Sequence, residues 1–234
     1  MGFRLFGKRK LEDTDEHEDC DSEEVEESKP QKSLVPFALS MKTQPESDIR
    51  SIGLYGEVEE KKVSEVIAGL IALASEETET DEPVDPENPD GEKKFEVEPI
   101  ELYISTPGGN ADDMLSLYDM MRVTKEICEI HTIGIGKVMS AGVLLLAAGT
   151  KGKRRIGKNC RVMIHSVIGG NAGSYHNLEN EMQEIRHIQD TYIRLLATET
   201  NMTVTQLKKM INKKVNVYLS AEEAVKLGIA DEVF

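Results

Sequence analysis

Two periods of apolar residues interleave along this chain. Ile49–Val58 (IRSIGLYGEV) and Pro99–Ser105 (PIELYIS) alternate roughly every second residue, which predicts strands. Lys61–Ser75 places Val63, Val66, Ile67, Leu70, Ile71 and Leu73 at helical spacing, and Asp112–Thr124 is amphipathic at the same period. The HTIGIG run within Glu129–Lys137 predicts a strand that ends near Gly136, with a small-residue turn after it. An apolar helix over Ser140–Ala148 and a buried strand over Arg161–His165 follow. Helices are expected over Asn177–Thr200, Thr203–Ile211 and Ala221–Leu227, and a terminal strand over Ile229–Val233. Strand and helix therefore alternate. That order predicts an α/β fold of repeated right-handed βαβ units with a mostly parallel sheet.

Two stretches break the pattern. Glu12–Glu27 holds 11 acidic residues and no Lys or Arg, and Glu76–Glu98 holds another 11 against Lys93 and Lys94. The formal net charge of −15 is concentrated there, because the rest of the chain carries 26 basic against 21 acidic residues. High charge, few aromatics and several prolines make both stretches poor core formers. Residues 1–32 read as a disordered tail, basic then acidic, or a propeptide cut near Ser33. Residues 76–98, with Pro83, Pro86, Pro89 and Gly91, read as a disordered surface insertion without elements of its own. One domain over residues 33–234 is expected, opening on the apolar island Ser33–Ser40. Its length suffices to bury a core without covalent staples.

Several function classes fall away on composition. Cys20, Cys128 and Cys160 show no CxxC spacing, so neither a disulfide framework nor a Cys-rich zinc site is expected, and a reducing cytoplasm suits them. No apolar run reaches the roughly 18–20 residues that span a bilayer, so no membrane partner is expected. The opening MGFRLFGKRK runs into acid rather than an apolar h-region, unlike a signal peptide. No basic stripe interleaved with aromatics suggests nucleic acid. No HExxH or comparable ligand pair suggests a metal, and no cofactor is implied.

Candidate chemistry lies in three places. The segment GIGKVMSAGVLLLAAG, residues 134–149, puts Ser140 at the start of an apolar helix. Taken alone, Ser140 is an N-cap whose hydroxyl satisfies an orphan N–H. As a nucleophile, it would have free N–H groups beside it to receive an oxyanion. It is not a GxSxG elbow, because Val138 stands at the first glycine position. The TPGG turn, Thr106–Gly109, is a proline turn with glycines for positive φ, or a place where a substrate carbonyl meets backbone N–H groups closely. His165 ends the run RVMI as a structural histidine or a base, and SVIGGNAG after it carries Gly169 and Gly170, which an approaching peptide backbone would need.

Taken together these pieces resemble the proteolytic subunit of the Clp protease, a serine peptidase related to the crotonase fold. Five motifs occur in the family's order: LVP at Leu34–Pro36, TPGG at 106–109, GKVMSAGVLLLAAG at 136–149, RVMIHSVIGG at 161–170 and YLSAEEAVKLGIADEV at 218–233. The resemblance covers residues 50–75 and 99–234. It implies a nucleophile at Ser140, a general base at His165, oxyanion donors at the backbone of Gly109 and Ala141, and substrate contacts at Gly108, Gly169 and Gly170.

The third member of the implied triad departs from the family. The aspartate's position, three residues before the LSA leucine, is Asn216. Asn can accept a bond from His Nδ1–H but cannot stabilise the imidazolium by charge, and in a well-studied serine protease Asp→Asn costs about 10⁴ in kcat. Slow catalysis, another carboxylate and an inactive subunit all stay open. The resemblance further implies polypeptide substrates, homo-oligomeric rings of seven stacked in pairs, a long protruding helix that makes ring-to-ring contacts, a Clp-type ATPase partner and a bacterial cytoplasm. The short stretch between LVP and the first strand resembles virus-encoded members that process capsid proteins. A crotonase-like acyl-CoA enzyme would share the fold, but the Ser140–His165 pairing and the Gly-rich segment argue against it.

Overall fold

The computed structural model describes residues 49–83, 93–170, 172–212 and 216–234. The expected tail 1–32 and the apolar island after it lie outside these residues, as do Asn171 and residues 213–215.

Elements run in the order β1 (Ser51–Tyr55), α1 (Glu60–Ala74), β2 (Thr78–Pro83), β3 (Lys93–Glu96), β4 (Ile100–Thr106), α2 (Ala111–Thr124), β5 (Ile130–Met139) and α3 (Ala141–Ala147). There follow β6 (Arg155–Ile156), β7 (Arg161–Ile164), α4 (Tyr175–Glu199), α5 (Val204–Ile211), β8 (Val217–Leu219), α6 (Ala221–Lys226) and β9 (Glu232–Val233). The main sheet is parallel except for one pair. β1 lies beside β4, β4 beside β5, and β6 joins β5 to β9. β7 also pairs with β5, and β8 pairs antiparallel with β7. The α/β architecture with a mainly parallel sheet and a long helix is therefore present.

The strand β5 organises this sheet. One of its edges meets β4; the other pairs with β6 at Ile133 and Gly134, then with β7 at Lys137, Val138 and Met139. The sheet forks between those contacts. Gly136 sits at the fork with φ 64, a value that glycine adopts without a Cβ penalty. The β4 register slips there too, between Ile104↔Gly134 and Thr106↔Val138, which marks a bulge. Sequence reasoning placed the end of this strand at Gly136; the chain instead kinks there and continues as strand to Met139.

Side-chain periodicity explains the layers. β4 alternates buried and half-buried positions, sending Ile100, Leu102, Ile104 and Thr106 inward. α1 contributes Val63, Val66 and Leu70 to that core, and α2 contributes Met114, Leu117, Tyr118 and Met121. Asn110 caps α2, its side chain accepting from the Asp112 and Asp113 N–H groups. Helix α3 is buried all round, so its AGVLLLA sequence needs no amphipathic stripe. Burying Val143, Leu144, Leu145 and Leu146 stabilises the fold by roughly 1.5–3 kcal/mol each.

The C-terminal end of α3 is tied down by cations. Arg154, 4% exposed, donates to the Ala147 and Glu199 carbonyls and forms an ion pair with Asp231. Lys125 donates to the Ala148 carbonyl at 2.6 Å. Positive groups thus meet the negative end of the helix. Burial pushes the Asp231 carboxyl up, but its bonds from Arg154 outweigh that and hold it below the usual carboxylate range.

Sequence reasoning erred on short elements. Residues 76–98 were expected to hold none, yet β2 and β3 pair as an antiparallel ribbon with Thr78 opposite Glu96 and Glu79 opposite Phe95. The two-residue β6 and three-residue β8 are too short to show a period and exist through their neighbours in the sheet.

Candidate active site

The site forms where β5 ends and α3 begins. Ser140 joins them directly at φ 53 and ψ −118. Among the described residues it is the one non-glycine residue with positive φ. Such a conformation costs on the order of 1–3 kcal/mol and persists only when its surroundings over-determine it. Those surroundings can be named. The Ser140 N–H donates to the Met163 carbonyl of β7 at 2.8 Å. The Ser140 carbonyl accepts from the Val143 N–H and the Tyr192 hydroxyl, each at 3.0 Å. The side chain makes no cap bond, so the N-cap reading of Ser140 does not hold. A sharp strand-to-helix turn of this kind projects its side chain from the end of the sheet, although GxSxG is lacking.

The TPGG turn packs beside this elbow. Thr106 is fully buried, and its Oγ1 accepts the Gly108 N–H at 3.0 Å. Gly108 has φ 98, and a Cβ there would lie 2.5 Å from the Ser140 Cβ. Gly109 bridges Val58: the Val58 N–H donates to the Gly108 carbonyl, and the Asn110 N–H donates to the Val58 carbonyl. Those two bonds use the groups on either side of Gly109, so its own N–H faces away from Val58. A Cβ on Gly109 would meet the Val58 oxygen at 2.2 Å. The missing side chains leave room for Ser140 on one side and the Val58 backbone on the other.

A cleft of about 500 Å³ opens in front of the elbow. Gly109, Ser140, Ala141, His165, Gly169 and Gly170 all line it; Met114, Ile185 and Tyr192 give it an apolar wall. Ala141 is the first residue of α3, and the first intrahelical acceptance runs from Val143 to Ser140, so its N–H has no partner within the helix. Gly108 sits behind Ser140 rather than in the lining. Gly169 lies against Ile185 of α4, and Gly170 has open space around it.

His165 follows β7. Its Nδ1 is 2.5 Å from the Ser166 carbonyl oxygen. A carbonyl only accepts, so Nδ1 carries the proton and a neutral ring keeps its lone pair on Nε2. Asn216 is exposed and stands just before β8. β7 and β8 pair Met163 with Tyr218 and Ile164 with Val217, and His165 and Asn216 are the residues that adjoin the end of that pairing. The structure thus brings Ser140 and His165 to one cleft, sets Asn216 next to the end of the β7–β8 pairing and outside the cleft lining, and gives Nδ1 to Ser166.

Two contributors were missed from sequence. Tyr192 lay inside a long helix with nothing to single it out, and the Ser166 carbonyl is invisible to any side-chain motif. Among the described residues no group of three or more His, Cys, Asp or Glu side chains could hold a metal ion, and no helix is long and apolar enough to cross a membrane.

The structure is thus an α/β protein with a forked, mainly parallel sheet and a strained serine at the head of a buried helix. The Clp protease family pattern matches residues 92–234, and the chain belongs to that family. The match begins after β1, α1 and β2, yet β1 extends the matched sheet by pairing with β4 from Ser51↔Glu101 to Tyr55↔Ser105.

Gly108→Ala is expected to lower peptide hydrolysis at least tenfold and to destabilise the fold by about 1–3 kcal/mol, because the new methyl drives into Ser140 at a backbone angle hostile to Cβ. Gly170→Ala, where nothing lies within 4 Å, is the control and leaves unfolding in denaturant unchanged.

Proposed function

We propose that this chain is a serine endopeptidase subunit that hydrolyses peptide bonds of unfolded or flexible polypeptides. One observation carries the reading: Ser140 is held in a strained elbow at the head of α3, in the same cleft as a histidine whose Nδ1 proton is engaged. Serine is a weak nucleophile until a base takes its proton, and Nε2 of His165 is the base for Ser140 Oγ. The attacked carbonyl becomes an oxyanion received by the Gly109 and Ala141 N–H groups. His165 then protonates the leaving amine, and water attacks the Ser140 ester with the same ring as base. Asn216 and the Ser166 carbonyl orient the imidazole. Neither is charged, so the imidazolium gains no ionic partner from them, and slow turnover follows.

Assembly belongs to the same proposal. Tyr175, Leu178 and Met182 are exposed on one face of the N-terminal half of α4, spaced at i, i+3 and i+7. Such a stripe suits contact between rings, which in this family are heptamers stacked in pairs, working with a Clp-type ATPase in the cytoplasm of a bacterial or virus-infected cell. Flexible capsid protein is a second substrate setting. The neutral partners of His165 favour one alternative, a structural subunit of such a ring with little or no turnover.

Ser140→Ala is expected to lower kcat/KM on a fluorogenic peptide by at least about three orders of magnitude, with melting and assembly unchanged, and to lose labelling by a serine-directed phosphonate. Retained hydrolysis rejects Ser140; an unlabelled, inert parent supports the structural subunit. In the same assay Asn216→Ala lowers kcat/KM about tenfold, and Asn216→Asp holds or raises it. Parent-like turnover by Asn216→Ala assigns the ring's orientation to the Ser166 carbonyl alone.

A further inference from the structure

We propose that Tyr192 is a positioning residue: its hydroxyl holds the Ser140–Ala141 peptide so that the Ala141 N–H faces the oxyanion. The inference rests on the serine peptidase reading and adds to it the residue that aims one of the two donors.

The Ser140 carbonyl and the Ala141 N–H belong to one peptide unit. That unit is planar and trans, so fixing its oxygen fixes the direction of its N–H. The unit is also the one under strain, since it leaves Ser140 at ψ −118 after φ 53. Rotating this plane is the nearest way to relieve the strain, and it would turn the Ala141 N–H away from the cleft. Two bonds oppose the rotation. The Val143 N–H reaches the Ser140 carbonyl from inside α3, and the Tyr192 hydroxyl reaches it from α4, 52 residues away. Any helix start supplies the first bond. The second is particular to this chain.

Tyr192 is built for this bond. The α4 residues from Tyr175 to Glu184 are exposed, and Tyr192 is the first buried residue of the helix, at 5% exposure. A buried phenol seeks a partner, and this one is 3.0 Å from the Ser140 oxygen. Burial also holds the phenol well above its ordinary pKa, so it remains a donor through the neutral range. A carbonyl that accepts two bonds draws electron density from its amide. Its N–H becomes a better donor, as expected for chained hydrogen bonds at low local dielectric.

The test compares the parent chain with Tyr192→Phe and with 3-fluorotyrosine incorporated at 192. Tyr192→Phe keeps the ring that walls the cleft and loses one oxygen. It is expected to lower kcat about tenfold with KM within about twofold, and to weaken a peptide boronate by the same factor as kcat. 3-Fluorotyrosine keeps the hydroxyl and makes it a stronger donor, so kcat rises above the parent's. A role in packing alone would move KM and thermal melting and leave the fluorinated variant silent or impaired. Unchanged kcat in Tyr192→Phe overturns the proposal, as does a rise in KM at constant kcat. If Tyr192→Phe fails to fold, a fluorinated variant no faster than the parent overturns it. A parent that neither hydrolyses peptide nor binds the boronate overturns the peptidase reading itself, and the two failures are distinguished by the parent alone.

Discussion

The backbone of Ser140 leaves β5 in a conformation that an L-residue avoids, and the rest of the site is arranged around keeping it there. Its N–H is spent on β7 and its carbonyl on α3 and α4, so three elements converge on one residue. The far end of α3 is equally fixed, with Arg154 and Lys125 on the Ala147 and Ala148 carbonyls. A short helix pinned at both ends and buried on every side cannot tilt to relieve the elbow. Strain that would elsewhere relax becomes a stable direction for one hydroxyl.

The fork at Gly136 explains why the elbow lies where a histidine can reach its cleft. β5 first pairs with β6, then with β7, and the kink between them lets one strand serve two neighbours on one edge. β7 runs beside the last three residues of β5 and delivers His165 just beyond its end. The parallel pairing matters here. Adjacent parallel strands end on the same side of the sheet, the side on which α/β proteins place their sites. The TPGG turn after β4 arrives at that side as well, and side chains on its two glycines would run into Ser140 and the Val58 backbone.

Much of this was legible because long, periodic elements announce themselves. β4 and helices α1 and α2 repeat their apolar residues at the periods their burial requires. Ser140 and His165 were legible as members of ordered motifs, since each needs neighbours of fixed type. What stayed hidden depends on contacts distant in sequence. Tyr192 reaches Ser140 across 52 positions, and only the folded chain puts them together. β8 has three residues and no pattern, yet its pairing with β7 is what brings the chain around Asn216 to the end of the strand that precedes His165. The charged sequence of β2 and β3 gave no hydrophobic alternation, and backbone pairing formed the ribbon without it. Continuing β5 past Gly136 was hidden for the opposite reason: a glycine that ends many strands here only bends one.

In the proposed reaction the strained Ser140 presents its hydroxyl to a substrate carbonyl beneath two backbone donors. A crystal structure of the chain after reaction with a peptide phosphonate tests it most directly. The expected result is a bond from Ser140 Oγ to phosphorus, with a phosphoryl oxygen about 3 Å from both the Gly109 and the Ala141 nitrogen. An adduct on another residue, or a phosphoryl oxygen turned to solvent while both N–H groups point elsewhere, would contradict it.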